Sequence, residues 1–281
     1  MTSLKIGFIG GGNMASALIG GLLEDGFPAS DLYVIDHSET ARATHGAKGV
    51  RTGATIDAAL ADCDAVVFAI KPQHFRLAAL DAAPHIGKAL IISIAAGIRL
   101  VDIARWLNGH TRVVRAMPNT PALIGRGITG LGASEDIGKE ERAIVEQILK
   151  PTGDVIWFDA NDQYSADDRI DAVTAISGSG PAYIFAFIEA LEDAGTQLGF
   201  SAAEARALAM ATVTGAGELA ARSSETPSVL RQRVTSPGGT TAAALASFTA
   251  DDFHGTIVRG AQAAQARAKT LALEMGKDPE A

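Results

Sequence analysis

The chemistry of this chain concentrates in glycine- and threonine-rich turns. Gly10-Gly11-Gly12-Asn13-Met14-Ala15 follows the apolar run Ile6–Gly10 and matches G-x-G-x-x-G/A. Gly10 suits the tight turn, Gly12 the close approach of a pyrophosphate, and Ala15 close packing of helix on strand. The helix that follows would offer backbone N–H groups to the phosphates. Gly10, Gly11, Gly12, Asn13 and Met14 are therefore candidate contacts to a dinucleotide. The pattern alone is common, and its weight comes from the βαβ unit that Leu32–Asp36 completes. Asp36 keeps two readings. A carboxylate at that position hydrogen-bonds the ribose of NAD and repels the 2′-phosphate of NADP, or, with Ser38 and Thr40, it caps the next helix.

Three further segments end expected strands, where ligands collect in doubly wound sheets. Ala69-Ile70-Lys71-Pro72-Gln73 is one, and Ala69, Ile70, Lys71 and Pro72 are cofactor candidates. Ser93-Ile94-Ala95-Ala96-Gly97-Ile98 is the second, with Ala95, Ala96 and Gly97. Arg115-Ala116-Met117-Pro118-Asn119-Thr120-Pro121-Ala122 is the third, stiffened by two prolines, with Asn119 as its candidate. Each proline could also serve only to shape a turn. Far downstream, Thr235-Ser236-Pro237-Gly238-Gly239-Thr240-Thr241 reads as an anion-binding turn. Its glycines expose N–H groups, and two threonines open the helix after it.

Other chemistries find little support. Between Lys150 and Lys269 there is no lysine, and His254 is the single histidine of that stretch. His37, His45, His74, His85 and His110 lack metal-ligand spacing and read as surface positions, so no metal site is expected. Cys63 stands alone, which fits a reducing compartment. Glu225 is either an exposed loop residue or a contact to a substrate nitrogen.

Positioning these turns requires two kinds of architecture. Up to about residue 160, short apolar runs (Ile6–Gly10, Leu32–Asp36, Ala65–Ile70, Ala89–Ile94, Arg112–Met117, Val155–Phe158) alternate with amphipathic stretches such as Met14–Asp25, His74–Ala83 and Glu140–Lys150. The alternation predicts an α/β Rossmann domain, a doubly wound and mostly parallel sheet, over residues 1–160. Beyond it strand signals vanish. Ala202–Arg222 and Gly260–Met275 read as long helices, and Ala172–Leu191 is apolar almost all round, which demands burial in a core or against another chain. An all-helical domain over 161–281, carrying substrate contacts and dimerisation, is the expectation. Tyr183, Phe185 and Phe187 read as core or interface.

A net charge of −8 gives no footprint for nucleic acid or an anionic membrane surface. No signal-like segment opens the sequence and no run is long enough to span a bilayer, so a cytoplasmic protein is expected.

Taken together, GGGNMA, AIKPQ, SIAAGI, RAMPNTPA, DAVTAISGSGPAY and VTSPGGTT, in this order and spacing, resemble the pyrroline-5-carboxylate reductase family from Ile6 to at least Phe248. The resemblance implies reduction of 1-pyrroline-5-carboxylate to L-proline with NADPH, or alternatively NADH, by a homodimer or larger oligomer whose active site uses the partner subunit. It also implies that Ser236, Gly239, Thr240 and Thr241 bind the substrate, with the Thr241 hydroxyl near the ring nitrogen as the catalytic group. The sequence departs from NADPH-preferring members in carrying Asp36-His37-Ser38, where they often have a small polar residue or arginine. The missing lysine fits an imine substrate. Reducing a carbonyl needs a proton donor at the new alkoxide, whereas a protonated imine is neutralised by the hydride itself.

Overall fold

The structure is a computed structural model, and it describes residues 4–278. Eight strands form one sheet: β1 (Ile6–Ile9), β2 (Leu32–Ile35), β3 (Arg51–Gly53), β4 (Ala65–Phe68), β5 (Leu90–Ser93), β6 (Val113–Met117), β7 (Gly127–Ala133) and β8 (Gly153–Trp157). Their order is β3-β2-β1-β4-β5-β6-β7-β8, with every neighbouring pair parallel except β6–β7. The order reverses direction between β1 and β4, the switch point at which open α/β sheets bind ligands.

β1, β2, β4 and β5 are buried on both faces. In β1, Ile6 and Phe8 enter one core with Leu18, Ile19 and Leu22 of α1 (Asn13–Glu24) and Val145, Ile148 and Leu149 of α5 (Lys139–Leu149). Ile9 enters the opposite core, which holds Phe75 of α3 (Pro72–Ala82) and Trp106 of α4 (Leu100–Trp106). The period of two along each strand thus feeds two cores, and this explains why the strands read as continuous apolar runs.

Two strands carried no apolar signal. β3 has three residues, none fully buried. β7 has the sequence GITGLGA, which reads as a loop. Its glycines answer to packing. A Cβ on Gly130 would lie 2.7 Å from Val173, and one on Gly132 would lie 2.8 Å from Ile170, both residues of α6 (Ala166–Val173). Removing two side chains lets α6 lie directly on the strand.

Contacts divide the chain into two units. One runs from the N-terminal end to Ser179 and takes in the residues from Ala264 onward, and the other is Gly180–Ala263. The change at residue 160 is a change of composition, whereas the compact first unit keeps α6, packed on β6 and β7, and the π-helical turn Thr174–Gly178. α6 is held by a capping box between Ser165 and Asp168 and by a buried ion pair between Arg115 of β6 and Asp171 at 3.0 Å. The last turns of α11 (Phe253–Met275) belong to this unit, with Ala268 and Ala272 buried.

The second unit is wholly helical. α7 (Gly180–Gln197) and α8 (Ala202–Arg222) form a hairpin in which Gly195 admits Ala205, since a Cβ on Gly195 would lie 2.8 Å from that of Ala205. α9 (Pro227–Arg233), α10 (Thr240–Ala250) and the start of α11 follow. Apolar side chains on these helices stay open to solvent in the single chain, among them Phe185 at 59% and Leu219 at 61% exposure. Only Ala205 and Ala209 of α8 are buried, and no residue of α7 is. An apolar unit with so little interior requires another surface to cover it.

Candidate active site

The parallel register places four expected turns along one edge of the sheet. Ile9 pairs with Ile35 and with Phe68, Phe68 with Ser93, and Ser93 with Arg115. The segments that follow these residues, from Gly10, Asp36, Ala69 and Ile94, therefore leave the sheet side by side. Asn119 follows β6 at the same edge.

The glycine turn is anchored at successive atoms. Gly10 has φ +100° and donates its N–H to the Ile35 carbonyl at 2.7 Å. A Cβ there would lie 2.5 Å from the Ala69 carbonyl oxygen, so only glycine fits between β1 and the loop after β4. Gly11 donates its N–H to Asp36 Oδ2 at 2.7 Å, and Asp36 Oδ1 accepts from Ser38 N at 2.7 Å. Ser38 in turn caps α2 (Glu39–Gly46) by accepting from Ala41 N. Arg42 Nη1 donates to the carbonyls of Asp36 and His37 at 2.8 and 2.9 Å. Asp36 is thus engaged by backbone on both oxygens, and it draws together the glycine turn and the loop before α2.

The other half of this turn faces open space. Gly12 and Asn13 are exposed, Met14 is half-buried, and a Cβ on Gly12 would meet nothing within 4 Å. Gly12 caps α1 without a side-chain hydrogen bond. A helix start left uncapped beside a glycine that faces an opening fits a pyrophosphate in both charge and shape.

The remaining dinucleotide candidates divide into open and enclosed positions. Lys71 is exposed and precedes Pro72, the first residue of α3, while Ala69 and Ile70 are half-buried. Ala95 and Gly97 are buried and Ala96 is half-buried. Gly97 has φ +72°, and a Cβ there would lie 3.4 Å from Leu271 of α11, so its type answers to backbone conformation and helix packing. Asn119 spends its side-chain oxygen on Ile128 N at 2.9 Å, fastening the turn after β6 to β7.

In the second unit, Thr235 Oγ1 donates to the Arg231 carbonyl at 2.6 Å and closes α9. The chain turns through Gly238 at φ +71°, and Gly239 donates its N–H to the Ser236 carbonyl at 3.0 Å. A Cβ on Gly239 would lie 2.5 Å from Ser236 Oγ. Gly239 caps α10 with no side-chain bond, so the helix start is offered through Thr240 and Thr241, of which Thr241 is half-buried. A cavity of about 370 Å³ between α9 and α10 is lined by Arg231, Gln232, Thr235, Leu245 and Thr249, none of them a candidate substrate contact. Glu225, weighed as a contact to the imine, forms an ion pair with Arg233 at 2.5 Å.

Known proteins with this arrangement decide the family. A family model described as pyrroline-5-carboxylate reductase dimerisation matches residues 167–271, and one described as NADP oxidoreductase, coenzyme F420-dependent, matches 5–97. Pyrroline-5-carboxylate reductase of Pseudomonas aeruginosa is 40% identical, over 99% of this chain and 100% of that protein. The chain belongs to the pyrroline-5-carboxylate reductase family. The Arabidopsis thaliana reductase is 35% identical over 96% of each chain. Among solved structures, the pyrroline-5-carboxylate reductase of Coxiella burnetii superposes with a TM-score of 0.89 at 36% identity, covering 96% of this chain and 99% of that one. A Plasmodium falciparum pyrroline carboxylate reductase, solved with NADP bound, gives 0.82 at 28%, covering 97% and 99%. A 3-hydroxyisobutyrate dehydrogenase of Mycobacterium tuberculosis, 18% identical with a TM-score of 0.52, covers 71% of this chain and 67% of that one and shares the fold alone.

Within this reductase family member, two residues that were not among the expected contacts fasten the candidate turns. His45 was expected at the surface and is completely buried under the glycine turn. Arg115, 2% exposed, bridges Asp167 and Asp171 and so ties the strand before Asn119 to α6. Asp167 also accepts from Leu100 N at 3.2 Å, the first residue of α4. Arg115 lay in view inside RAMPNTPA, and a buried arginine followed in sequence by two aspartates four apart on a helix was the available signal. Among the described residues no cluster of three or more metal-ligating side chains occurs, and no helix is long and apolar enough to cross a membrane.

Proposed function

We propose that the chain reduces 1-pyrroline-5-carboxylate to L-proline with NADPH, the final step in making that amino acid. The observation that carries this reading is the full-length identity with pyrroline-5-carboxylate reductases, 40% over 99% of the chain. The anchored glycine turn and the uncapped start of α10 are its physical counterparts. The reaction falls in the class that acts on CH–NH bonds. When bound, NADPH supplies the hydride that the C=N carbon of the protonated imine receives, the carbon that becomes C5 of proline.

The chain's own residues bind and orient. Gly10, Gly11, Gly12, Asn13 and Met14 hold the pyrophosphate, and Ala69 to Pro72, Ala95 to Gly97 and Asn119 line the path of the nicotinamide half. Ser236, Gly239, Thr240 and Thr241 hold the substrate carboxylate at the start of α10, where N–H groups and the helix dipole favour an anion. The Thr241 hydroxyl accepts from the iminium N–H and fixes the ring so that the C=N carbon faces the cofactor. The ring nitrogen is cationic before transfer and neutral after it, so no proton has to arrive from the protein in that step. This agrees with an α7 that has no lysine or histidine. Correct placement alone supplies a large part of the rate.

Residues 1–160 serve the dinucleotide, and residues 161–281 serve substrate and self-association. A homodimer or larger oligomer covers the exposed apolar residues of α7 and α8, in keeping with the dimerisation match over 167–271. We place the enzyme in the cytoplasm, as a biosynthetic enzyme with a single buried thiol. Thr241→Ala tests the assignment. It should lower kcat by about two orders of magnitude while leaving NADPH binding intact, and near-normal turnover would refute the role given to Thr241.

A further inference from the structure

His45 lies in the last turn of α2, at 0% exposure, directly beneath the glycine turn. Its Nε2 is 3.0 Å from the carbonyl oxygen of Gly11, and a Cβ on residue 11 would lie 3.1 Å from ring atoms Cδ2 and Nε2. A carbonyl can only accept, so the contact requires the tautomer with hydrogen on Nε2. Nδ1 has no hydrogen-bond partner. Ser16 Oγ is 3.5 Å from both Nε2 and the Gly11 oxygen, at the limit of a hydrogen bond, and cannot replace the ring.

The carbonyl that His45 holds belongs to the same peptide unit as the N–H of Gly12. The described residues contain no cis peptide bond, so oxygen and hydrogen point in opposite directions across that plane. Pulling the Gly11 oxygen inward turns the Gly12 N–H outward, toward the side where a Cβ on Gly12 would meet nothing. The preceding peptide is fixed separately, its N–H held by Asp36. Without His45 the Gly11–Gly12 unit could rotate between glycines, which resist rotation least.

We propose that His45 is a positioning residue for the dinucleotide: by holding the Gly11 carbonyl it aims the Gly12 N–H at the pyrophosphate before the cofactor arrives. This rests on the reading of the glycine turn as the NADPH site. Its effect belongs to cofactor binding and not to the chemical step.

Binding of NADPH to the full-length protein without substrate, followed by steady-state kinetics, tests it. His45→Leu should weaken the Kd for NADPH about ten-fold, the scale of one buried hydrogen bond lost with its partner left unsatisfied. KM for NADPH should rise in parallel, with kcat at saturating cofactor within about two-fold of wild type. His45→Gln carries a side-chain N–H at similar reach and should recover most of the affinity. His45→Leu binding as tightly as wild type, or a loss confined to kcat, would overturn the proposal. Should that variant fail to fold, long-range proton–nitrogen spectra of histidine-labelled wild type decide: hydrogen on Nε2 of His45 is expected, and hydrogen on Nδ1 alone would overturn it. A wild type that binds no dinucleotide would remove the site reading and this inference together, whereas tight wild-type binding unchanged in His45→Leu removes this inference alone.

Discussion

The backbone N–H of Gly11 points at the carboxylate of Asp36, 2.7 Å away, so the residue that follows the second strand also braces the glycine turn after the first. Of the two readings of Asp36, the helix cap falls to Ser38, which Asp36 supports by accepting from its N–H; that its charge meets the adenosine ribose is our proposal, and a substitution tests it. Replacing Asp36 with Asn keeps an acceptor for Gly11 and removes the charge. The expected outcome is a rise of about five-fold or more in the ratio of kcat/KM with NADPH to that with NADH, because repulsion of the 2′-phosphate is relieved. An unchanged ratio in paired kinetic measurements would mean that the carboxylate serves the backbone alone.

The buried pair of Arg115 and Asp171 should be costly to break. Both side chains are 2% exposed and their atoms are 3.0 Å apart. Asp171→Ala leaves a guanidinium without one of its two partners in a dry site, and a loss of about 3 kcal/mol in denaturant unfolding is expected. The double variant Arg115→Met, Asp171→Leu should recover part of it, since an apolar pair carries no desolvation cost. If Asp171→Ala unfolds at the wild-type midpoint, the pair contributes nothing to stability.

Gly153 offers a backbone test. Its φ is +132°, and a Cβ would lie 2.0 Å from the Gly127 oxygen in the adjacent strand. Gly153→Ala must move β7 or β8, and a loss of at least about 2 kcal/mol should appear in thermal or chemical unfolding. Gly20, where a Cβ meets nothing within 4 Å and which sits inside α1, is the control. Gly20→Ala should be neutral or stabilising.

Stability should fall toward acid in two stages. Burial pushes the pKa of His110 below the usual histidine value, opposed by its hydrogen bond to the Ala89 carbonyl. The folded state therefore disfavours the charged ring, and this contribution is present above about pH 6.5 and is lost as the pH falls through the depressed folded value. Lower still, Asp159 beside Arg142, Asp168 beside the Ser165 hydroxyl and Asp278 beside Arg76 are all held below the usual carboxylate range by those hydrogen bonds. Their contribution is complete above about pH 4 and is lost as the pH drops through their folded values. Asp102, raised chiefly by burial, works in the opposite direction and softens the decline. Melting temperature measured against pH checks this, and His110→Gln should abolish the upper stage only.

The doubly wound half was legible because its four central strands are buried on both faces and so appear as unbroken apolar runs. The long helix Ala202–Arg222 could be read to the residue, since Ser201 and Glu204 form a capping box before it. β7 was hidden for the opposite reason: its identity depends on what packs against it, and Gly130 and Gly132 make sense only once Val173 and Ile170 are in place. His45 was hidden likewise. No spacing in the sequence relates it to Gly11, 34 positions earlier, and the relation exists only when α2 folds under the turn. The turn from Ser236 to Thr241 was readable as an anion site from residue types, yet the engagement of the Gly239 N–H by Ser236 needed coordinates.

The central claim is the reaction itself, and oxidation of NADPH by the purified protein on addition of 1-pyrroline-5-carboxylate tests it most directly. The account predicts rapid turnover that yields proline and that collapses in Thr241→Ala while cofactor binding persists. Cofactor binding without any oxidation of NADPH or NADH in the wild-type protein would contradict it.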